Sequence, residues 1–154
     1  MSLLFLEPAA RSGYTVIAGC GRLGAGLADA LSDAGENVLV IDRSRDAFRK
    51  LSPSFGGLTL LGDAMDLDVL DEADLKKAGV LVCVTDNDNV NILIAQLARE
   101  QFGVARVIAR LYDPERECVD RELGIDTICP AKLSAVEISR LLKLANPNGE
   151  GKEQ

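Results

Sequence analysis

The residues Gly19-Cys20-Gly21-Arg22-Leu23-Gly24 follow the apolar segment Tyr14 to Ala18 and open an amphipathic stretch, and Asp42 closes the next apolar segment. Glycines at this spacing suit the close approach of a pyrophosphate. Gly19 permits a tight turn, Gly21 lets backbone N–H groups reach phosphate oxygens, and Gly24 lets a helix pack closely on the preceding strand. The phosphates would then sit at a helix N-terminus, where unpaired N–H donors and the positive dipole end favour anions. Asp42 stands 23 positions after Gly19, close to the spacing of a carboxylate that accepts hydrogen bonds from a ribose diol. Strand, glycines, helix, strand and acid in that order read as a dinucleotide-binding βαβ unit.

Further polar residues follow the other apolar segments. They are Arg43 beside Asp42, Gly62-Asp63-Ala64, Thr85-Asp86-Asn87-Asp88-Asn89 with Asn91 just beyond, and Arg110. Ligands of doubly wound sheets bind outside the carboxyl ends of the strands, so each of these is a candidate. Each also has a plainer reading. Asp86 or Asn87 suits the cap of the following helix, and Asp63 or Asp66 suits the cap of the helix that begins near Leu67. Arg43 reads either as a solvated charge or as a partner for the 2′-phosphate of NADP; Asp42 would repel that phosphate, which favours NAD or an adenine nucleotide. Arg22 lies inside the glycine turn, and planar guanidinium groups suit phosphate oxygens.

The elements that must position these residues are legible from the apolar pattern. Segments at Tyr14–Gly19, Asn37–Asp42, Leu58–Leu61, Val80–Thr85, Ala105–Ala109 and Asp126–Cys129 alternate with helical patterns. Six strands alternating with helices predict an α/β fold, a Rossmann-like doubly wound parallel sheet with right-handed crossovers and helices on both faces. Leu23, Leu27, Ala30, Leu31 and Ala34 form one helical face, with Gly35 as a stop; Val90, Leu93, Ile94, Leu97 and Ala98 form another. A last helix is expected from about Lys132 to Lys143. Its Leu133, Val136, Ile138, Leu141, Leu142 and Ala145 offer more apolar surface than one sheet face demands, through either core packing or a partner interface.

With 154 residues the chain has the size of one domain. Residues 1–12 read as a tail of unknown role, 13–145 as the nucleotide-binding domain and 146–154 as a flexible tail or severed linker. A net charge of −7 argues against nucleic acid or an anionic membrane as partner. Cys20, Cys83, Cys118 and Cys129 lack metal-ligand spacing, and there is no histidine to join them. Free cytosolic thiols account for all four, with an exposed, dipole-activated Cys20 as the alternative. No apolar run reaches the ~18 to 20 residues that span a bilayer.

The series Gly19-Cys20-Gly21-Arg22-Leu23-Gly24, Val40-Ile41-Asp42, Gly62-Asp63-Ala64, Val84-Thr85-Asp86-Asn87-Asp88-Asn89-Val90-Asn91 and Ile108-Ala109-Arg110 resembles the N-terminal RCK domain, also called KTN or TrkA-N. The resemblance runs from about Tyr14 to Leu144. It implies a module of potassium-uptake regulators, channels and antiporters that binds NAD(H), ATP or ADP and assembles into dimers or rings beneath a membrane pore. Carried over by position, Gly19, Gly21, Arg22 and Gly24 would hold phosphates, Asp42 the ribose, and Asp63 with Ala64 the adenine edge. Thr85, Asp86 and Asn91 would line the distal half of the pocket, and Arg110 would reach across to phosphate. The family commonly adds a smaller C-terminal ligand-binding domain, which would begin where this sequence stops.

Two functional classes follow. One is a cytoplasmic nucleotide sensor, peripheral to the membrane through a potassium transporter or channel subunit and assembled as a homo-oligomer. The other is an RCK-type module of a larger fused protein, an antiporter tail or a phosphoesterase. Hydride transfer is disfavoured, since the chain lacks histidine and has no length for a substrate domain.

Overall fold

The computed structural model describes residues 13–116 and 123–143. The expected tails, together with Cys118, Leu144 and Ala145, lie outside the described residues. The six apolar segments form strands β1 (Thr15–Ala18), β2 (Val38–Asp42), β3 (Leu58–Leu61), β4 (Val80–Cys83), β5 (Arg106–Arg110) and β6 (Asp126–Ile128). They make one six-stranded, all-parallel sheet in the order β3-β2-β1-β4-β5-β6. This is the Rossmann-like doubly wound α/β fold expected from the sequence.

Strand alternation divides the core in two. On one face Val16, Ala18, Ile41, Leu81, Cys83, Val107 and Ala109 are buried together with Leu70, Ile94, Ala95 and Ala98 of helices α2 (Leu67–Glu72) and α3 (Asp88–Glu100). On the other, Ile17, Val38, Val40, Val82 and Val84 lie beneath Ala25 and Ala28 of α1 (Arg22–Asp33). Each fully buried Ile, Leu or Val stabilises the fold by about 1.5–3 kcal/mol. A one-residue slip of any central strand would exchange the two sets.

Side chains select several helix starts. Asp66 caps α2 by accepting from the Asp68 N–H, and Asn87 caps α3 by accepting from the Val90 N–H. Asp66 rather than Asp63, and Asn87 rather than Asp86, therefore do the capping. The last helix, α4, spans Pro130–Leu141 and starts earlier than the apolar pattern predicts, because Pro130 occupies its first turn, where a missing N–H costs nothing. None of the residues of α4 is buried, and Leu133, Val136, Ile138, Leu141 and Leu142 are all more than half exposed. Ordinary core packing does not account for this helix.

The chain reverses direction across the sheet between β1 and β4. Ala18 pairs with Ile41 of β2 on one side and with Cys83 of β4 on the other, so the exits of the three strands stand in one row. A crevice opens at this switch point, the usual ligand position in such sheets.

Candidate functional site

The crevice is a cavity of about 450 Å³. Its walls include Gly19, Cys20, Gly21, Asp42, Arg43, Gly62, Asp63, Ala64, Thr85, Asp86 and Arg110. The parallel sheet thus gathers five separated chain segments at one edge.

At the centre is the glycine turn. Gly19 has φ +109°, and a Cβ there would lie 2.8 Å from the Val84 carbonyl oxygen. Its N–H donates to the Ile41 carbonyl at 2.8 Å, which anchors the turn on β2. Gly24 is buried, and a Cβ on it would stand 1.9 Å from the Gly19 carbonyl oxygen, so only glycine lets α1 rest on the turn. Gly21 is exposed, and beyond its chain neighbours no protein atom lies within 4 Å of where its Cβ would be. Space is therefore kept open at the start of α1, a helix without a side-chain cap and without an acid in its first turn. Its N–H groups and positive dipole end face the cavity mouth and suit an anion.

Asp42 closes one side. Its carboxylate accepts from the Cys20 N–H at 2.8 Å and from the Ser44 N–H at 2.8 Å. Each oxygen keeps a lone pair for a ligand, and two main-chain donors fix the orientation of the group. Beyond it, Gly62 donates its N–H to the Asp42 carbonyl, and Asp63 accepts from the Met65 N–H at 2.9 Å, shaping the turn that presents Ala64 and Met65.

On the other side, Arg110 extends from the end of β5. Its Nη2 donates to the Val84 carbonyl at 3.1 Å and to the Thr85 carbonyl at 2.8 Å, while its Cζ lies 5.1 Å from the Tyr112 ring centroid. Its Nε is buried without a hydrogen-bond partner among the described residues. A buried N–H donor left unpaired costs free energy.

Not every residue predicted for the site reaches the cavity wall. Arg22 and Leu23 are exposed on α1 outside the wall, and Gly24 lies beneath the turn. Asn91 is fully buried, and all its hydrogen-bonding groups are taken by Thr85 and Arg110, so it stands behind the wall that it was expected to line. Conversely, Ala47 and Lys50 enter the wall on the short 3-10 helix Arg45–Lys50, and Val90 and Ile94 enter it from α3. The periodicity of α3 marks Val90 and Ile94 as an apolar face; nothing in the sequence around Lys50 announces its place in the wall.

Cys20 is buried in the turn, with its Sγ 3.5 Å from the Ala47 carbonyl oxygen. Burial, reinforced by the Asp42 carboxylate, pushes its thiol above the usual range. This overturns the alternative of an exposed, activated thiolate. Cys83 and Cys129 are likewise free and buried. Among the described residues no cluster of Cys, Asp and Glu could hold a metal ion, and no helix is long and apolar enough to cross a membrane.

The model of the TrkA-N domain matches residues 15–130, well over half of the chain. A Trk system potassium uptake protein TrkA from Streptomyces coelicolor is 46% identical over 129 residues, covering 84% of this chain and 58% of the relative. The glutathione-regulated potassium-efflux system protein KefC of an Enterobacter species is 32% identical over 112 residues, covering 73% of this chain but 18% of that protein. Among solved structures, a Kef C-terminal domain from Shewanella denitrificans in AMP-bound form is similar, with a TM-score of 0.72 and 26% identity over 88% of this chain and 84% of that one. The chain therefore spans less than two thirds of the uptake protein.

Proposed function

The chain belongs to the TrkA-N domain family, and on that footing we propose that it is the nucleotide-sensing unit of a potassium-transport regulator. An adenine nucleotide, NAD(H) or ATP/ADP, occupies the crevice at the switch point. The observation that carries this reading is the open glycine turn at the start of α1 beside a carboxylate oriented by two main-chain N–H groups.

In this reading Gly19, Gly21 and the first turn of α1 receive phosphate, with Gly24 seating the helix. Arg22 approaches the phosphate from the rim, Asp42 takes the ribose hydroxyls, and Asp63 with Ala64 borders the adenine. Arg43 and Lys50 flank the ribose end. Thr85, Asp86 and Arg110 meet the part of the ligand that extends over β4. The Asp42 carboxylate would repel a 2′-phosphate, which places NADP below NAD.

The site has groups to grip a nucleotide, and neither Tyr14 nor Tyr112 lines it. The Tyr14 hydroxyl donates to the carbonyl of Ala73, with that of Asp74 also in range, and Tyr112 lies against Arg110. We therefore assign the domain no catalysis. Instead, occupancy biases one arrangement of a homo-oligomer, and the exposed apolar surface of α4 supports such assembly. The assembly acts from the cytoplasmic side on a membrane potassium transporter or channel subunit. Differential affinity for two arrangements supplies typically ~1–3 kcal/mol of coupling.

Calorimetric titration of the folded protein with NAD, NADH, ATP and ADP tests the reading. Binding of at least one is expected; failure of all four would reject it. A second reading, a nucleotide-binding module of a larger protein such as an antiporter tail or a phosphoesterase-linked domain, is favoured by the small share of KefC that this chain matches. The natural reading frame beyond residue 154 separates the two.

A further inference from the structure

We propose that Asn91 is the positioning residue for the half of the site beyond the glycine turn, acting through Thr85 and Arg110 on any ligand that extends past its first phosphate. This rests on the nucleotide reading of the cavity.

Asn91 is the one polar residue in the buried core among the described residues, at 0% exposure. Its Oδ1 accepts from the Thr85 N–H at 2.9 Å and from the Thr85 hydroxyl at 2.6 Å. Its Nδ2 donates to the Thr85 carbonyl at 3.1 Å and to the Arg110 carbonyl at 2.9 Å. Two donors and two acceptor positions are the whole capacity of an amide, so nothing remains for a ligand. The side chain must act through what it holds.

What it holds lies just beyond the sheet. The last paired residues of β4 and β5 are Cys83 and Ala109; past them the strands no longer hydrogen-bond to each other. Asn91 bridges that gap from α3. The Thr85 carbonyl that it fixes is also the acceptor for Arg110 Nη2, so one amide sets both the backbone of Arg110 and the anchor of its guanidinium. A second strap runs in parallel: the Asp88 carboxylate accepts from the Tyr112 N–H at 2.9 Å and the Asp113 N–H at 3.1 Å, fixing the loop that carries the ring beside Arg110. The guanidinium so placed keeps a buried, unpartnered Nε. Arg110 also lines the cavity, and the complement of its guanidinium is an oxygen acceptor, a second phosphate or the amide of a dinucleotide's distal ring.

The experiment compares AMP, which ends at one phosphate, with NAD. Both are titrated calorimetrically against the wild-type chain, Asn91→Asp, Arg110→Ala and the double variant. Asn91→Asp turns a carboxylate oxygen toward two carbonyls while leaving the acceptor side intact. It is expected to weaken NAD about tenfold and AMP less than about threefold. The double variant is expected to lose about what Arg110→Ala loses alone, not the product of the two losses. Equal losses for AMP and NAD, or losses that multiply, would show a merely structural role and overturn the proposal. Where Asn91→Asp fails to fold, Asn91→Ser, which is smaller and keeps a hydroxyl, carries the same comparison. A ligand-free readout separates this claim from the nucleotide reading: the Arg110 Nε–H resonance must shift in the Asn91 variant. If it does not move, the positioning role is wrong; if it moves while wild type binds none of NAD, NADH, ATP and ADP, the role stands and the nucleotide reading falls.

Discussion

Alanine at two glycines three positions apart, Gly21 and Gly24, should have different consequences, one on binding and the other on stability. At Gly24 a Cβ would lie 1.9 Å from the Gly19 carbonyl oxygen, far inside contact distance, and the neighbour is backbone rather than a flexible side chain. Helix propensity returns about 1 kcal/mol for Gly→Ala inside α1, but overpacking of this kind costs about 1–3 kcal/mol or more, and here the turn itself must move. With a backbone atom at 1.9 Å the upper end of that cost applies, so Gly24→Ala is expected to lose about 2 kcal/mol or more net. At Gly21 the backbone has φ −80° and ψ −166°, open to any residue, and the added methyl meets no protein atom. The stability change there is expected to stay near 0.5 kcal/mol, the scale of an N-cap preference. Yet that methyl stands where a phosphate would approach the first turn of α1. A loss of at least about tenfold in ADP affinity, or about 1.4 kcal/mol, is expected. Urea unfolding and calorimetric titration of the two variants measure both quantities. If Gly21→Ala binds ADP as tightly as wild type, no phosphate sits at the turn; if Gly24→Ala is as stable as wild type, the steric argument for α1 is wrong.

Three further outcomes can be checked. Asp42→Asn removes a carboxylate that accepts two main-chain N–H groups, so it should destabilise the fold by about 1 kcal/mol or more and weaken NAD. The ratio of NADP to NAD affinity should rise, and an unchanged ratio in calorimetry would remove Asp42 from the ribose site. Burial pushes the Cys83 thiol far above its ordinary value of 9.0. The stability linked to it is fully present below that value and is lost as pH rises from there toward the folded pKa, by about 1.4 kcal/mol per unit for one group; urea midpoints between pH 7 and about 10.5 should fall accordingly. Leu133→Glu with Leu141→Glu should leave monomer stability within about 0.5 kcal/mol, because both side chains are more than half exposed and no residue of α4 is buried. The pair should weaken self-association in sedimentation; unchanged association would exclude α4 from the interface.

Much of the fold was legible because strand and helix periods differ and the apolar segments obey them. Thr15–Ala18, Val38–Asp42 and Val80–Cys83 are short, branched and apolar, as buried parallel strands require. The glycine spacing is equally local: each glycine answers a constraint set within a few residues by a turn and the helix that follows. The roles of Asn91 and Lys50 were not legible. Asn91 follows a run of cap-like polar residues, and only the meeting of β4, β5 and α3 makes it a buried bridge rather than a wall residue. Lys50 reaches the cavity because the short helix after β2 brings Ala47 and Lys50 to its wall, a path with no periodic signal.

By itself, then, the sequence determined the order of elements, the glycine turn and the acid that ends β2, since these depend on neighbouring residues and the rules of local geometry. Tertiary structure alone decided which polar strand-end residues face the cavity, which are consumed in holding others, and that α4 keeps its apolar face in solvent. Those outcomes depend on hydrogen-bond partners and packing surfaces supplied by segments distant in the chain, and no local pattern encodes whether such a partner arrives.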